Sequence, residues 1–378
     1  MKPKKSMFAI STVLIAATAL GACSQDTDND SDTAKKGSEK KSQSCDRILN
    51  NDYMLPQAKP AEFKKGFTVA LVRQSGVGDY FEQWGNGATK QIEAAGGKVK
   101  VYDARGNNST QVSQFGQAIS SKPDVIIVDH GLADSVNPKI DEAIDKGIPV
   151  VVYDVDIANC DATYISQNDE SIAEEILGYL KKENPDGGKI AYVNVSGIAP
   201  LDSRNKVYQE FLKGNPEFKQ VAHFGKYTES VAADTATEGA AALSAAKDTT
   251  IAFAAYDELA KGTLIALRQQ GLSDKVKVYG VDISTADIQL MIKSGSPWRA
   301  TAATDPANVG AVVARAAIGK AAGADLPDKM TIPATLITQD QLVDKNVENM
   351  DDLRKALPEL STPDYLGAPW IPEITPGQ

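Results

Sequence analysis

Two aspartates follow directly on short apolar runs, at positions where buried strands would end. Asp154 comes after VVVY at 150–153, and Asp282 comes after VYGV at 278–281. The carboxyl ends of parallel strands meet at one edge of an α/β sheet, so we expect both carboxylates to border a common crevice. A carboxylate can accept from two hydroxyls, and the guanidinium of Arg204 can donate to others. The pattern predicts a site for a small neutral sugar or polyol.

The sequence offers few residues for a metal site at these positions. The chain has only two histidines, so a histidine-based metal site is disfavoured. Calcium would need a regular spacing of oxygen ligands, which is not found at Asp154, Asp156 and Asp161. Helix capping is the simpler explanation for three acidic residues that stand where helices would begin: Asp79, Asp257 and Asp305. We predict neither a metal nor a cofactor.

The stretch 68–84, TVALVRQSGVGDYFEQW, reads as a buried strand, a glycine-containing loop and the start of a helix. Such loops sit at the ligand edge of open sheets, so Gln74, Tyr80 and Phe81 are candidates for one wall of the site. Aromatic rings can stack on the apolar face of a sugar. A dinucleotide fingerprint would need a third glycine where Phe81 stands, which disfavours nucleotide binding. The alternative is an ordinary turn without a ligand.

From residue 67 onward, strand-like runs alternate with helix-like segments. The alternation predicts βαβ units and parallel sheets. There are too many units for one compact sheet, so we predict an α/β fold with two doubly wound lobes. Trp84 falls on the inward face of the first helix and is predicted to be core. The segment 346–378 lacks the alternation and is predicted to be an extended tail that packs through Tyr365, Trp370 and Ile371.

The first residues have the pattern of an export signal. Three lysines precede an apolar run at 7–20 that is too short and too rich in Ala and Thr for a convincing membrane span. LGAC at 20–23 resembles a bacterial lipobox, which predicts a signal peptide at 1–22 and lipid on Cys23. A conventional secretory signal is the alternative. The polar segment 23–45 has too little apolar surface to fold and is predicted to be a disordered tether.

Charge and cysteine content add two expectations. The net charge of -10 argues against nucleic acid as a partner. If Cys23 carries lipid, Cys45 and Cys160 remain as a candidate disulfide outside the cytoplasm. Two buried free thiols are the alternative.

Several segments, in order along the chain, resemble the ribose/galactose-type (type I) periplasmic sugar-binding proteins of ABC importers. FAAYDELAKGTLIALRQQG at 253–271 resembles their NDxxAxGxxxAL segment, and VYGVDIS at 278–284 resembles GxD. VALVRQSGVGDYF, KPDVIIVDHGLADSV, KGIPVVVYDVD and ATAATDPANVG match further strand and loop regions. The resemblance covers about 67–338. It implies a lobe of 66–167 plus 305–334 and a lobe of 168–304 plus 335–345. Three hinge strands would join the lobes, which close on a sugar.

The resemblance also implies ligand contacts from both lobes: Gln74, Gly78, Tyr80, Phe81, Asp154, Arg204, Tyr256, Asp282 and Thr304. The loop at 227–228 is a weaker match. Four positions depart from the family's usual Arg, Asn or Gln: Val155, Tyr256, Gly78 and Thr304. The spacing also leaves Asn205 as an alternative to Arg204. These changes predict a ligand that differs from the family's usual sugars, because unpaired buried polar groups are costly.

The leading interpretation is a lipid-anchored, monomeric solute receptor that delivers a sugar or polyol to an ABC permease. A sensory lipoprotein that presents its ligand-bound form to a membrane receptor is the alternative. An enzyme is disfavoured, since glycoside hydrolysis needs an acid of raised pKa at a defined distance from its partner.

Overall fold

The computed structural model describes residues 49–61, 63–360 and 365–374. The predicted signal peptide, the lipid site Cys23, the tether and Cys45 lie outside the described residues. Cys160 is disulfide-bonded. Its partner lies outside the described residues, so the pairing with Cys45 stays a prediction. In the described ranges, no helix is both long and apolar enough to cross a membrane.

Strands and helices alternate along the described chain. The strands are β1 (Thr68–Arg73), β2 (Lys98–Asp103), β3 (Val125–Asp129), β4 (Val150–Tyr153), β5 (Thr163–Gln167), β6 (Gly188–Val193), β7 (Phe218–Phe224), β8 (Ile251–Ala254), β9 (Lys277–Val281), β10 (Trp298–Ala303), β11 (Lys329–Ile332) and β12 (Thr335–Thr338). The helices are α1 (Asp79–Ala94), α2 (Asn108–Ser120), α3 (Ala133–Asp145), α4 (Asp169–Glu183), α5 (Ala199–Gly214), α6 (Val231–Ala245), α7 (Asp257–Gln270), α8 (Thr285–Met291), α9 (Pro306–Ala321), α10 (Gln339–Asp344) and α11 (Met350–Ala356).

Two six-stranded sheets define two lobes. The first sheet has the order β11-β5-β4-β3-β1-β2, and the second has the order β12-β10-β9-β8-β6-β7. Paired strands are parallel except β10 and β12, which are antiparallel. Because consecutive parallel strands need crossovers, helices cover both faces of each sheet. The predicted fold class, two doubly wound α/β lobes, is confirmed.

The chain passes between the lobes at three places, which form the hinge. It crosses from β5 to α4, from β10 to α9 and from β11 to β12. Two of these crossings are bonded to each other, since Thr304 Oγ1 donates to Gln167 Oε1 at 2.7 Å. The hinge therefore fixes polar groups at the edge of the space between the lobes.

Burial follows the position of each strand in its sheet. Every residue of the central strands β3 and β4 is buried, whereas the edge strands β2 and β7 have exposed residues. A strand covered on both faces needs a continuous apolar run, which is the pattern that these central segments have. Trp84 is fully buried in the first lobe, so its predicted core role is confirmed.

Helices α1 and α9 cross at two glycines. A Cβ atom at Gly87 would overlap the carbonyl oxygen of Ala307, and one at Gly310 would overlap the carbonyl oxygen of Trp84. The absence of both side chains lets the two backbones approach closely. This crossing matters for the site because α1 begins at the aromatic loop and α9 begins at the hinge.

We expect Gly310→Ala to destabilise the folded protein by about 1–3 kcal/mol, because its methyl group must push α1 away. Gly178→Ala is the matched control, since Gly178 is also helical and a Cβ there would meet nothing within 4 Å. The control should instead stabilise by up to about 1 kcal/mol through helix propensity. Urea denaturation measures both. Equal stability of the two variants would contradict the close crossing.

The prediction that 346–378 is an extended tail is wrong for its first part. Residues 350–356 form α11, and Pro358–Leu360 form a 3-10 turn. Asn349 caps the helix by accepting from the backbone N–H of Asp352. Apolar residues at helical spacing, Met350, Leu353, Leu357 and Leu360, pack into the second lobe. Residues 365–374 form neither helix nor strand.

Candidate functional site

A small cavity of about 40 Å³ lies between the lobes at the carboxyl ends of the parallel strands. Its lining residues come from both lobes: Gln74, Tyr80, Phe81, His130, Gln167, Ile198, Pro200, Leu201, Arg204, Tyr227, Tyr256, Asp257 and Asp282. The structure thus brings together six residues that sequence predicted for the site: Gln74, Tyr80, Phe81, Arg204, Tyr256 and Asp282.

Three predicted residues lie beside the cavity. Asp154 is buried behind His130, with 3.8 Å between Asp154 Oδ2 and His130 Nε2. Gly78 lines a second, neighbouring cavity that shares Phe81 with the first. Thr304 is buried at the hinge, where it contacts Gln167. Ligand contact by any predicted residue stays a prediction.

Three polar residues near the cavity share a left-handed backbone. The φ angles are 57° at His130, 51° at Asp154 and 70° at Asp282. Each follows the end of a strand, β3, β4 or β9. For residues with a Cβ this conformation costs about 1–2 kcal/mol, and such strain clusters at functional sites. The structure places His130 and Asp282 on the cavity lining and Asp154 beside it.

Arg204 anchors the second-lobe side. It is fully buried on α5, and its Nε and Nη2 lie 2.9 and 2.8 Å from Asp169 Oδ1. Its Nη1 donates to the carbonyl oxygen of Ala255 at 2.6 Å and lies 3.8 Å from Asp282 Oδ2. Burial raises the pKa of Asp282, and the charge of Arg204 opposes that rise. Arg204 is therefore held in place mainly by Asp169, and Asp282 Oδ1 has no hydrogen-bond partner among the described residues.

His130 belongs to a chain of charges on the first-lobe side. Arg73 Nε donates to Asp129 Oδ2 at 2.6 Å, and His130 Nδ1 lies 2.7 Å from Asp129 Oδ1. Burial would raise the pKa of Asp129, but Arg73 and His130 outweigh it and lower that pKa. Burial would lower the pKa of His130, but the hydrogen bond and charge of Asp129 raise it. The ring of His130 is fixed between Asp129 and Asp154.

Three buried polar atoms at or beside the cavity find no hydrogen-bond partner among the described residues. These are Asp154 Oδ2, Asp282 Oδ1 and the hydroxyl of Tyr256. A buried polar atom without a partner costs about 1–3 kcal/mol. Carboxylate oxygens accept only, so the complementary ligand presents donors such as hydroxyl groups.

The aromatic wall differs from the prediction in one respect. The hydroxyl of Tyr80 lies 2.7 Å from that of Tyr153, which ties Tyr80 into the first-lobe core. Phe81 is only half-buried, and its ring meets that of His130 edge-on at 5.1 Å between centroids. Phe81 is therefore the freer of the two rings to stack on a ligand.

Side chains of the two lobes also contact each other directly. Asp79 Oδ2 on α1 lies 2.9 Å from Lys261 Nζ and 3.2 Å from Ser284 Oγ. Gln74 Oε1 accepts from the hydroxyl of Tyr227 at 3.1 Å. The capping predicted for Asp79 is wrong, because Gly78 occupies the cap position and no side chain caps α1. Asp79 instead joins the two lobes.

The other two capping predictions have different outcomes. Asp305 caps α9 by accepting from the backbone N–H of Ala307, as predicted. Asp257 does not occupy the cap position of α7, because the helix begins at Asp257 and Tyr256 precedes it. In the described part of the chain, no group of three or more His, Cys, Asp and Glu side chains is arranged to hold a metal ion.

Six lining residues were not predicted from the sequence, and three of them are apolar: His130, Gln167, Ile198, Pro200, Leu201 and Asp257. His130 carried a usable signal, since it follows a strand just as Asp154 does. The apolar residues 198–201 lie where β6 leads into α5, and they gave no chemical signal. They make one side of the cavity apolar.

We expect the ligand-free protein to lose stability as pH rises toward neutrality. Burial and the charge of Asp169 raise the pKa of Asp154 from its ordinary 3.8 to about 7. A raised carboxyl pKa stabilises the fold fully below pH 3.8, and this contribution is lost as pH rises through about 7. His130, whose pKa is also raised, acts in the same direction, and Arg204 and Tyr153 face the same carboxyl.

Asp154→Asn keeps the shape and tolerates the left-handed backbone, so it tests this pH dependence. The variant should gain more stability over the parent protein at pH 8 than at pH 5, as measured by urea denaturation. Asp156→Asn, two residues further on and exposed, should show no such difference. A gain at pH 5 that matches the gain at pH 8 would rule the mechanism out.

Comparison with known proteins shows the family to which the chain belongs. Residues 69–325 match the periplasmic binding protein domain, which is more than half of the chain. The chain belongs to the periplasmic binding protein family. Members of this family are substrate-binding proteins of transport systems, so the prediction that the chain is not an enzyme is confirmed.

Two relatives of this periplasmic binding protein are named for the pentose that they bind. The D-xylose-binding periplasmic protein of Haemophilus influenzae is 30% identical over 212 residues, which cover 53% of this chain and 62% of that relative. The ribose import binding protein RbsB of Salmonella typhimurium is 26% identical over 253 residues, which cover 65% of this chain and 81% of that relative. The chain thus spans less than two thirds of the length of the xylose-binding relative.

Two solved structures resemble this periplasmic binding protein over most of its length. A 5-methylthioribose transporter solute-binding protein from Thermotoga lettingae, in complex with 5-methylthioribose, is 39% identical with a TM-score of 0.80 and covers 83% of this chain and 98% of that one. A sugar ABC transporter protein from Yersinia enterocolitica is 29% identical with a TM-score of 0.78. The match covers 84% of this chain and 97% of that one. The resemblance to type I sugar-binding proteins of ABC importers is therefore confirmed.

Proposed function

We propose that this chain is an extracytoplasmic lipoprotein that captures a small carbohydrate or polyol between its lobes and delivers it to an ABC permease. One observation carries the proposal: Asp282, with a buried carboxyl oxygen that lacks a hydrogen-bond partner, lines a cavity between two hinged lobes together with Arg204 and His130, and Asp154 lies beside it. Hydroxyl groups of a sugar are the donors that these acceptors need.

The apolar side of the cavity supports a narrower ligand class. Ile198, Pro200 and Leu201 of the second lobe line the same cavity as Asp282 and Arg204. A plain sugar presents hydroxyls in most directions, and hydroxyls buried against apolar side chains lose their hydrogen bonds with water. We infer that the ligand has a hydroxylated ring and a short apolar substituent. The similar protein solved with 5-methylthioribose supports this inference.

A thermal-shift screen tests this function. The purified protein is melted with ribose, xylose, inositols, sugar acids and 5-methylthioribose. A true ligand at a hundredfold excess over Kd stabilises by about 2.7 kcal/mol. We expect the largest shift with 5-methylthioribose or a similarly substituted pentose. A larger shift with unsubstituted ribose would overturn the apolar-substituent inference, and no shift with any polyol would overturn the function.

Anchoring and delivery rest on the lipobox at 20–23 and on the family's role in transport. Lipid on Cys23 would hold the protein at the outer face of the cell membrane. The alternative remains a sensory lipoprotein that presents its ligand-bound form to a membrane receptor. Loss of uptake on deletion supports delivery, whereas intact uptake with lost induction supports sensing.

A further inference from the structure

The C-terminal chain is anchored on both lobes. Its first anchor is α11 with the turn after it, and Leu353, Leu357 and Leu360 are buried in the second-lobe core. This anchor also reaches the hinge. Arg354 Nε and Nη2 donate to the two carboxyl oxygens of Asp305 at 2.7 and 2.9 Å, and Asp305 caps the helix that follows the β10 crossing.

The second anchor lies on the first lobe. Leu366 and Ile371 are buried in the first-lobe core. The indole of Trp370 donates to the carbonyl oxygen of Pro56 at 2.7 Å, and its ring meets that of Phe63 at 5.1 Å between centroids. The polypeptide therefore changes lobes once more after the three hinge crossings.

We propose that this C-terminal segment is a strap that limits how far the two lobes open. The inference rests on the proposed capture of a ligand by lobe closure. Leu360 on the second lobe and Tyr365 on the first are five residues apart, and five residues span at most about 18 Å when fully extended. Wider separation of these two points would pull an anchor out of its core.

A limited opening changes binding as well as shape. A ligand that needs the closed form binds with an apparent Kd that is weakened by the fraction of molecules in other forms. A strap that excludes widely open forms keeps more molecules near the competent geometry. The strap would act alongside the direct bonds of Asp79 to Lys261 and Ser284, which also join the two lobes.

Lengthening the strap tests the proposal without removing either anchor. A twelve-residue Gly/Ser insertion after Thr362 separates the anchors, since about twelve flexible residues add roughly 20 Å of reach. The same insertion after Pro376 is the matched control, because it lies beyond both anchors. Small-angle X-ray scattering of the ligand-free protein measures the opening, and calorimetry measures Kd for the ligand that the screen selects.

We expect the Thr362 insertion to raise the ligand-free radius of gyration above that of the control and to weaken binding by about threefold to tenfold. Truncation after Ser361 removes the first-lobe anchor and should enlarge the ligand-free protein in the same way. Scattering curves for the insertion and truncation variants that superimpose on the control would overturn the strap. If the protein enlarges but no sugar binds to any variant, the strap stands and the proposed sugar function fails.

Discussion

Replacing Asp282 with alanine is expected to weaken ligand binding by at least about 100-fold while the protein stays folded. A hydrogen bond to a charged group contributes about 1.5–3 kcal/mol, and this carboxylate can accept from two hydroxyls. Each 1.4 kcal/mol is a factor of ten in Kd. Arg204 keeps its partner Asp169 in this variant, so no buried cation is left unpaired. Calorimetric titration measures the loss.

Two further variants test whether lost binding comes from the missing carboxylate or from backbone strain. Alanine at the left-handed φ of 70° adds strain, whereas Asp282→Asn tolerates that angle and removes only the charge. We expect the asparagine variant to retain the parent's melting temperature and still bind poorly. Asp274→Ala, at an exposed position of the same lobe, is the control and should bind normally. Parent-like affinity of the Asp282 variants would remove Asp282 from the site.

Replacing Arg204 with methionine should affect stability as strongly as binding. Breaking a buried ion pair from one side costs about 3–5 kcal/mol, because the remaining charge is left uncompensated. Here the remaining charges are Asp169 and Asp282. Burial then raises the pKa of both carboxyls further, so the deficit should be larger at pH 8 than at pH 5. Urea denaturation at the two pH values measures this.

A double variant distinguishes the ion pair from simple packing. Adding Asp169→Asn to Arg204→Met should recover part of the lost stability, and it should not recover binding. Arg268→Met is the control, since Arg268 is exposed on α7. If the double variant is less stable than Arg204→Met alone, uncompensated charge is not the cause of the deficit.

Sequence was informative wherever a local pattern carried the signal. Alternating strand and helix runs predicted the two doubly wound lobes. Polar residues placed just after apolar runs predicted that Asp154 and Asp282 border a common crevice, and the structure places Asp282 on the cavity and Asp154 beside it. Each strand or helix run, and each polar residue after a strand, can be recognised within a few residues of chain. The position just after a strand end is also the ligand edge of an α/β sheet.

The remaining features depend on contacts between distant segments. An aspartate at a helix start reads as a cap, and only the approach of the second lobe shows that Asp79 pairs with Lys261. Leu201 has the chemistry of a core residue, and only the fold places it on a cavity wall. The helix at 350–356 did carry helical spacing, but it is short, and Pro358 stands two residues after its end.

The most direct test of the account is a crystal structure of the protein with the ligand that gives the largest thermal shift. We expect the ligand between the lobes, with its hydroxyls within hydrogen-bonding distance of Asp282, its ring against Phe81 and any apolar substituent against Leu201. A ligand bound outside this cavity, or one inside it without a hydrogen bond to Asp282 or Asp154, would contradict the account.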